Sequence, residues 1–403
     1  MSFGRDKRNV LVLSICQALF NSGRGLMFLA ATLVGANMLG ENLIFVTAPI
    51  TIMLVGTASG TLPAAHLMRL FGRKVGFVIG SVIGAGGCWI CYTSLPDNNF
   101  LLFNVGMFFY GIYSGFSQQY RFAVADAAPD NFKAKAISLV LAASVVGAVV
   151  GPETAKVTRN LFVDVEFAGS MLALIGLCLA TGLIVTFIDI PKLSREEYAD
   201  KGRPLLDIVA QPTFIVAFIA AAIGYVAMNI LMTATPLSMR LGSNFNFNDT
   251  ALVIEWHIIG MFAPGFFTGH LITRFGHIKV IFAGGLLLLL AVASALNGIT
   301  LTHFWVAMFL VGAGWNFTFT GGTALLTGVY TPSERNKVQG IYDFTVFSFM
   351  ALSSLSSGAI FHFLGWKWVN LSALPMVAIL LTATIWLAWI RRAAPQTAPV
   401  GGI

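Results

Sequence analysis

His66-Leu67-Met68-Arg69-Leu70-Phe71-Gly72-Arg73-Lys74 has a second copy 204 residues further on, His270-Leu271-Ile272-Thr273-Arg274-Phe275-Gly276-His277. Each copy closes a long apolar run and turns on Phe-Gly. A second echo pairs Pro129 through Lys135 with Pro332 through Lys337, at an offset near 203. A repeat this long means that one architectural unit has been laid down twice. The sequence between the repeats says what the unit is. Of 403 residues, 57% are apolar and 10% charged, with a mean hydropathy of +0.81. Soluble domains carry about 25% charged residues. This composition excludes a soluble enzyme, a disordered regulator and a nucleic-acid binder. At about 20 apolar residues per helical crossing, plus a loop, the chain has room for about twelve crossings. Alternating ten-residue segments of a β-barrel are absent, so the expected fold is an all-α membrane protein.

The apolar runs place spans at 10–34, 43–68, 75–95, 100–123, 136–158, 167–188, 212–237, 250–272, 280–299, 303–327, 338–361 and 368–390. The longest polar stretch, Asp189 to Asp207, holds Pro191, Pro204 and nine charges of mixed sign. It divides the chain into a six-helix bundle at 1–188, a linker at 189–211 and a second six-helix bundle at 212–403. The net charge of +7 follows the same alternation. Eighteen of the 24 Lys and Arg fall in clusters between alternate spans, including Arg69, Arg73 and Lys74, Arg335 and Lys337, and Arg391 and Arg392. That is the positive-inside pattern, with both termini cytoplasmic. The charge therefore reports orientation rather than a polyanionic ligand. The first apolar run lacks a small-residue cleavage site and reads as span one, not as a signal peptide.

The two parallel six-span halves resemble the major facilitator superfamily, and so does the Phe71-Gly72-Arg73-Lys74 turn between spans two and three. The family turn usually carries an Asp where this chain has Arg69, and Thr273 in the second copy, so a latch built on that Asp is not expected. Glycines four apart recur at Gly56 and Gly60, Gly76, Gly80 and Gly84, Gly111 and Gly115, and Gly147 and Gly151. Small residues at this spacing let helices approach closely in lipid. Gly147-x-x-x-Gly151-Pro152 also resembles the fifth-span motif of the family's antiporters.

Four side chains form a soft-metal pattern. Met228 and Met232 are four apart in span seven, and His257 and Met261 are four apart in span eight, so each pair shares a helix face. Counted from the loop at 238–249, Met232 and His257 match in depth to within about 3 Å, as do Met228 and Met261. If both faces turn to a central cavity, they make two rungs. Thioethers and imidazole favour Cu(I) over harder ions, and only His257 would make the site pH-sensitive. These motifs resemble those of the CcoA-type copper importers, a branch of the same superfamily. The resemblance implies import of copper, as cargo rather than cofactor, across the bacterial inner membrane. It also implies a supply route to haem–copper oxidases through a cytoplasmic copper acceptor, and a monomer in the bilayer. The wider family includes riboflavin importers, so an organic cargo is the alternative. A drug–proton antiporter is a third reading, resting on the Gly147–Pro152 motif.

Charges inside a span are functional candidates by default. Arg24, in the middle of span one, is expected to line the cavity and to have a carboxylate partner, with Glu153 the candidate. Glu255 lies about 200° round the helix from His257 and is expected to pair with Arg240 or to serve coupling. Asp343, near the inner end of span eleven and a candidate for the cavity or for coupling, and Asp126 after span four read as gate or loop charges. Cys88 and Cys91 form a C-x-x-C, but all four cysteines sit in apolar runs and read as small packing residues. Trp256, Trp305, Trp366 and Trp368 read as interfacial anchors. No nucleophile–base set or nucleotide loop stands out, so the chain does not read as an enzyme.

Overall fold

A computed structural model describes residues 2–39, 48–190 and 202–393. The sequence linker therefore lies partly outside the described residues. The described chain is a succession of long helices. Eleven are long and apolar enough to cross a bilayer, from Lys7–Phe28 to Phe363–Arg392. A further helix, Leu301–Leu326, occupies the position of the tenth span. It falls outside those eleven because its glycines and polar residues lower its hydropathy. Asn316, Thr318, Thr320 and Thr323 are all fully buried along it. A span enclosed by its neighbours can carry polar groups that a lipid-facing one cannot.

The two Phe-Gly turns have the same backbone. Gly72 has φ 89° and ψ 163°, and Gly276 has φ 86° and ψ 158°. A side chain at positive φ is strained, so only glycine reverses the chain this tightly in both copies. Spans eleven and twelve meet the same requirement at Gly365, with φ 79°, inside the long helical stretch Arg335–Ala393. Spans four, five and eight are each broken into two helices, at 118–119, 143 and 263–264. Each break lies in the half of its span nearer the loops carrying the basic clusters, hereafter the basic face.

The glycine ladder acts as packing. A Cβ on Gly60 would come within 2.7 Å of the Ile112 carbonyl oxygen, and one on Gly115 within 2.6 Å of that of Thr57. Spans two and four therefore touch backbone to backbone, where dispersion and weak C–H···O contacts replace the absent hydrophobic effect. Gly147 and Gly151 serve the fifth span in the same way. A Cβ on Gly147 would lie 2.7 Å from the Ser22 nitrogen. The motif shared with antiporters thus seats span five on span one, immediately beside Arg24. The four cysteines are buried and free, and the Cys91 thiol donates to the Phe103 carbonyl at 3.6 Å.

Between the halves, span two packs along span eleven, and the first part of span five along the second part of span eight. A Cβ on Gly340 would meet Ala65 at 2.8 Å, and one on Gly269 would meet the Lys135 Cα at 2.6 Å. These approaches close the basic face.

Candidate functional site

The centre of the second half is a wall of aromatic rings. Tyr225 from span seven stands at its hub, with ring centroids 5.2 Å from Trp315, 4.9 Å from Phe319 and 5.4 Å from Phe347. Trp315 and Phe319, four apart on span ten, stack at 5.0 Å with an interplanar angle of 16°. Phe262 from span eight meets Trp315 edge-on at 5.7 Å. Four-residue spacing on one helix face dictates the Trp315–Phe319 stack, and edge-to-face geometry fixes the others around it.

Two cations from the first half press on this wall. Arg24, half-buried on span one, lies within electrostatic reach of the Tyr225 hydroxyl and 5.5 Å from the Phe28 ring centroid. Arg121, fully buried at the end of span four, lies over the Phe319 ring at 4.6 Å and over Phe122 at 4.6 Å. A guanidinium is flat, and it rests here on an aromatic face as a flat ligand would. Beside Arg24, the first half adds amide groups: Asn21 donates to the Ser144 hydroxyl at 2.9 Å and Gln17 to the same oxygen at 3.2 Å.

Below the wall, toward the basic face, a charge network joins the halves. Arg121 forms an ion pair with Asp343 of span eleven; their side chains are 1% and 0% exposed. Gln119 donates to the other Asp343 oxygen at 3.0 Å. Arg73, from the Phe-Gly turn, pairs with Asp126 at 2.7 Å, and Arg335 approaches the same carboxylate at 3.6 Å. Arg73 also donates to Gln119 at 2.9 Å and to Gln339 across the halves. Asp343 and Asp126 thus both sit in ion pairs on the basic side, Asp343 across the halves with Arg121 and Asp126 with Arg73 and Arg335. The latch does not need an acid at position 69, because Asp126 at the end of span four supplies it.

At the basic surface, Arg203 clamps Glu334. Its Nε and Nη2 donate to the two carboxylate oxygens at 2.8 and 2.7 Å, and its backbone N–H adds a third bond at 2.8 Å. Hydrogen bonds from Arg203, aided by the Thr331 N–H, hold the Glu334 carboxyl down at about 2. Lys337 donates to the Arg203 carbonyl at 2.5 Å, so the start of the second half is stapled to the loop between spans ten and eleven.

The remaining candidates fall elsewhere. Glu153 pairs with Lys156 at 2.6 Å on an exposed face, which corrects the expectation that it neutralises Arg24. Among the described residues, no carboxylate pairs with Arg24. Glu255 is exposed, and the Arg240 side chain lies outside the described residues. Met228 and His257 are buried, whereas Met232 and Met261 are half-buried. Spans seven and eight both pack against span ten, which replaces the expectation that these consecutive spans lie side by side. His257 turns to span ten, with Nδ1 2.8 Å from the Met308 carbonyl, while its buried Nε2 has no hydrogen-bond partner among the described residues. The Met261 carbonyl accepts from Asn316 at 2.7 Å.

The family model described as the Major Facilitator Superfamily matches residues 13–263 and 217–402. The chain belongs to the major facilitator superfamily. Among curated superfamily proteins, the riboflavin transporter RfnT of Brucella anthropi is 39% identical over 381 residues, covering 94% of this chain and 95% of its own. The fold matches the E. coli fucose:proton symporter FucP, with a TM-score of 0.75 at 15% identity over 94% of this chain and 98% of that one. A bacterial homologue of the iron transporter ferroportin aligns with a TM-score of 0.71 at 14% identity, over 94% and 99%. Superfamily membership makes this a multi-pass secondary transporter. Arg121, Tyr225, Trp315 and Phe319 were not among the sequence candidates. Their signal was available: a charge in an apolar run, a Tyr and a Trp with polar tips at mid-span rather than at an interface, and Phe319 one turn from Trp315.

Proposed function

We propose that this protein imports riboflavin, or a solute of the same flat heteroaromatic class, across a bacterial inner membrane by alternating access. The observation that carries the reading is the 39% identity, along 94% of the chain, to a protein named as a riboflavin transporter. The geometry supplies a physical reason. Riboflavin is a neutral tricyclic ring with carbonyl and N–H groups along one edge and a hydroxylated chain. The wall of Tyr225, Trp315 and Phe319 suits the ring, and Asn21, Gln17 and Arg24 suit the edge and chain. Arg121 holds the Phe319 face while the basic side is shut, so a stacked ring would compete with the guanidinium for that face. The positive-inside distribution supports a cytoplasmic basic face and cytoplasmic termini. Uptake of labelled riboflavin by cells lacking their own route, with and without this gene, tests the reading. A gene-dependent, saturable uptake is expected, and equal uptake in both strains would contradict it.

One observation favours a second reading, copper at Met228, Met232, His257 and Met261. The His257 Nε2 is buried and has no hydrogen-bond partner among the described residues, and imidazole nitrogen is a common metal ligand. That reading predicts that His257→Phe abolishes copper uptake and leaves riboflavin transport intact.

A further inference from the structure

We propose that a groove across spans one, five and eight holds an acyl chain of an anionic phospholipid, with Lys7 on its phosphate, and that this lipid favours the closed arrangement of the halves. The inference is independent of the cargo.

The groove has a volume of about 360 Å³ and is lined from three spans: Val10 and Leu11 of span one, Leu139 and Ala143 of span five, and Phe266 of span eight. Leu11 and Phe266 are 62% and 57% exposed, so in a bilayer this surface meets lipid rather than water. The depth of the groove suits a lipid of one leaflet. Span one starts at Lys7, where the bilayer meets the basic side. The lining continues to Ser14, about 10 Å deeper at about 1.5 Å per residue. A chain descending from a headgroup at the interface follows the same path.

Charge selects the headgroup. Apart from Lys7 and the Ser14 hydroxyl the lining side chains are apolar, and none is acidic. Next to Lys7, Arg8 pairs with Asp189 at 3.3 Å, and next to Phe132 of the lining, Lys133 pairs with Asp130 at 2.7 Å. Those two acids are matched by their own partners. A lysine at this level lays its stem on apolar surface and its ammonium among the headgroups. Basic groups beside gaps between spans recruit anionic lipids. A zwitterionic lipid offers the same chains without the net charge.

The groove also spans the seam between the halves. Ser138 and Gly265, the chain neighbours of Leu139 and Phe266, are joined across it. The Ser138 hydroxyl donates to the Gly265 carbonyl and accepts from the Gly269 N–H at 2.9 Å. Leu139 and Phe266 therefore share one groove while this seam is shut. A chain lying between them touches both halves, and parting the halves on the basic side takes that contact away. A ligand with higher affinity for one of two states shifts the population toward it.

The test uses the full-length protein in phosphatidylcholine liposomes containing a trace of phosphatidylglycerol with a photoreactive diazirine on one acyl chain. Illumination and peptide mass spectrometry locate the chain. Labelling should concentrate on residues 7–14, 132–143 and Phe266, and unlabelled phosphatidylglycerol should displace it where added phosphatidylcholine does not. Lys7→Gln should raise the phosphatidylglycerol needed for half-displacement roughly fivefold. Ser14→Phe, which puts a ring in the groove, should remove the labelling. Lys7→Gln leaves the apolar lining intact, so it decides the matter if Ser14→Phe fails to fold. A second readout places labels on Asn131→Cys and Pro332→Cys, exposed positions on basic-face loops of opposite halves. The native cysteines are buried and shielded from reagent. Phosphatidylglycerol should raise the closed fraction of the wild type, and Lys7→Gln should need more of it for the same rise. Labelling spread evenly over the bilayer-facing surface, equal displacement by phosphatidylcholine, a Lys7→Gln variant that behaves as wild type, or a closed fraction indifferent to phosphatidylglycerol overturns the proposal.

Discussion

Replacing Phe319 with Leu isolates the contribution of one aromatic face. Leucine keeps the side chain apolar and branched, and such swaps usually cost less than about 1.5 kcal/mol when the core can repack. What it removes is specific: the stack on Trp315 at 5.0 Å, the edge contact with Tyr225 at 4.9 Å and the platform beneath Arg121 at 4.6 Å. If riboflavin stacks on this wall, losing one face forfeits about 1–3 kcal/mol, by analogy with bases stacked on aromatic side chains. At about 1.4 kcal/mol per tenfold, that raises the transport KM by roughly 5- to 150-fold. The assay is uptake of radiolabelled riboflavin over a concentration series, normalised to transporter in the membrane. The quantity of folded protein is checked by thermal melting in detergent. A KM within about twofold of wild type, with the protein folded, would falsify the stacking argument, since that difference is below half a kcal/mol.

Three further outcomes follow from other contacts. Gly115→Ala places a methyl 2.6 Å from the Thr57 carbonyl oxygen, whereas Gly86→Ala meets nothing within 4 Å. The first should lower the melting temperature, at an overpacking cost of about 1–3 kcal/mol, while the second leaves it unchanged or slightly higher. Arg203→Ala should destabilise at pH 7. Glu334 titrates at about 2 in the fold against 4.5 ordinarily, so the clamp's contribution is complete above pH 4.5 and is lost as pH falls from there toward 2. Because Arg203 is 44% exposed, solvent screens the clamp and keeps its contribution modest. The gap between the two melting temperatures should narrow from pH 7 to pH 3; a constant gap would assign the effect to packing. Met228→Leu, Met232→Leu and Met261→Leu together preserve volume, so riboflavin uptake should persist at near wild-type KM; a large loss would show that the thioethers serve the cargo.

Much of the fold is legible because its determinants are local. The Phe-Gly turns at Gly72 and Gly276 share one backbone geometry because glycine alone tolerates it. The span limits follow from apolar runs, and the glycine repeats lie where helices touch. The Leu301–Leu326 helix was also legible, as span ten, despite its polar residues. The site was harder to read because its neighbours are set by three-dimensional order. Depth matching placed Met232 opposite His257 on consecutive spans, but span ten packs against both, and His257 bonds to Met308. Arg24 was visible as a charge in lipid, yet it lies near Tyr225 of the other half, and Glu153 pairs with Lys156 instead. Asp343 was visible as a charge near the inner end of span eleven, but no local pattern links it to Arg121, 222 residues away.

The cargo can be measured directly. The purified protein is placed in liposomes and given labelled riboflavin, with empty liposomes alongside and with copper offered separately. The account predicts time-dependent, saturable riboflavin entry that unlabelled riboflavin competes away and that Phe319→Leu weakens. Absence of riboflavin entry in liposomes that take up copper through this protein would contradict it.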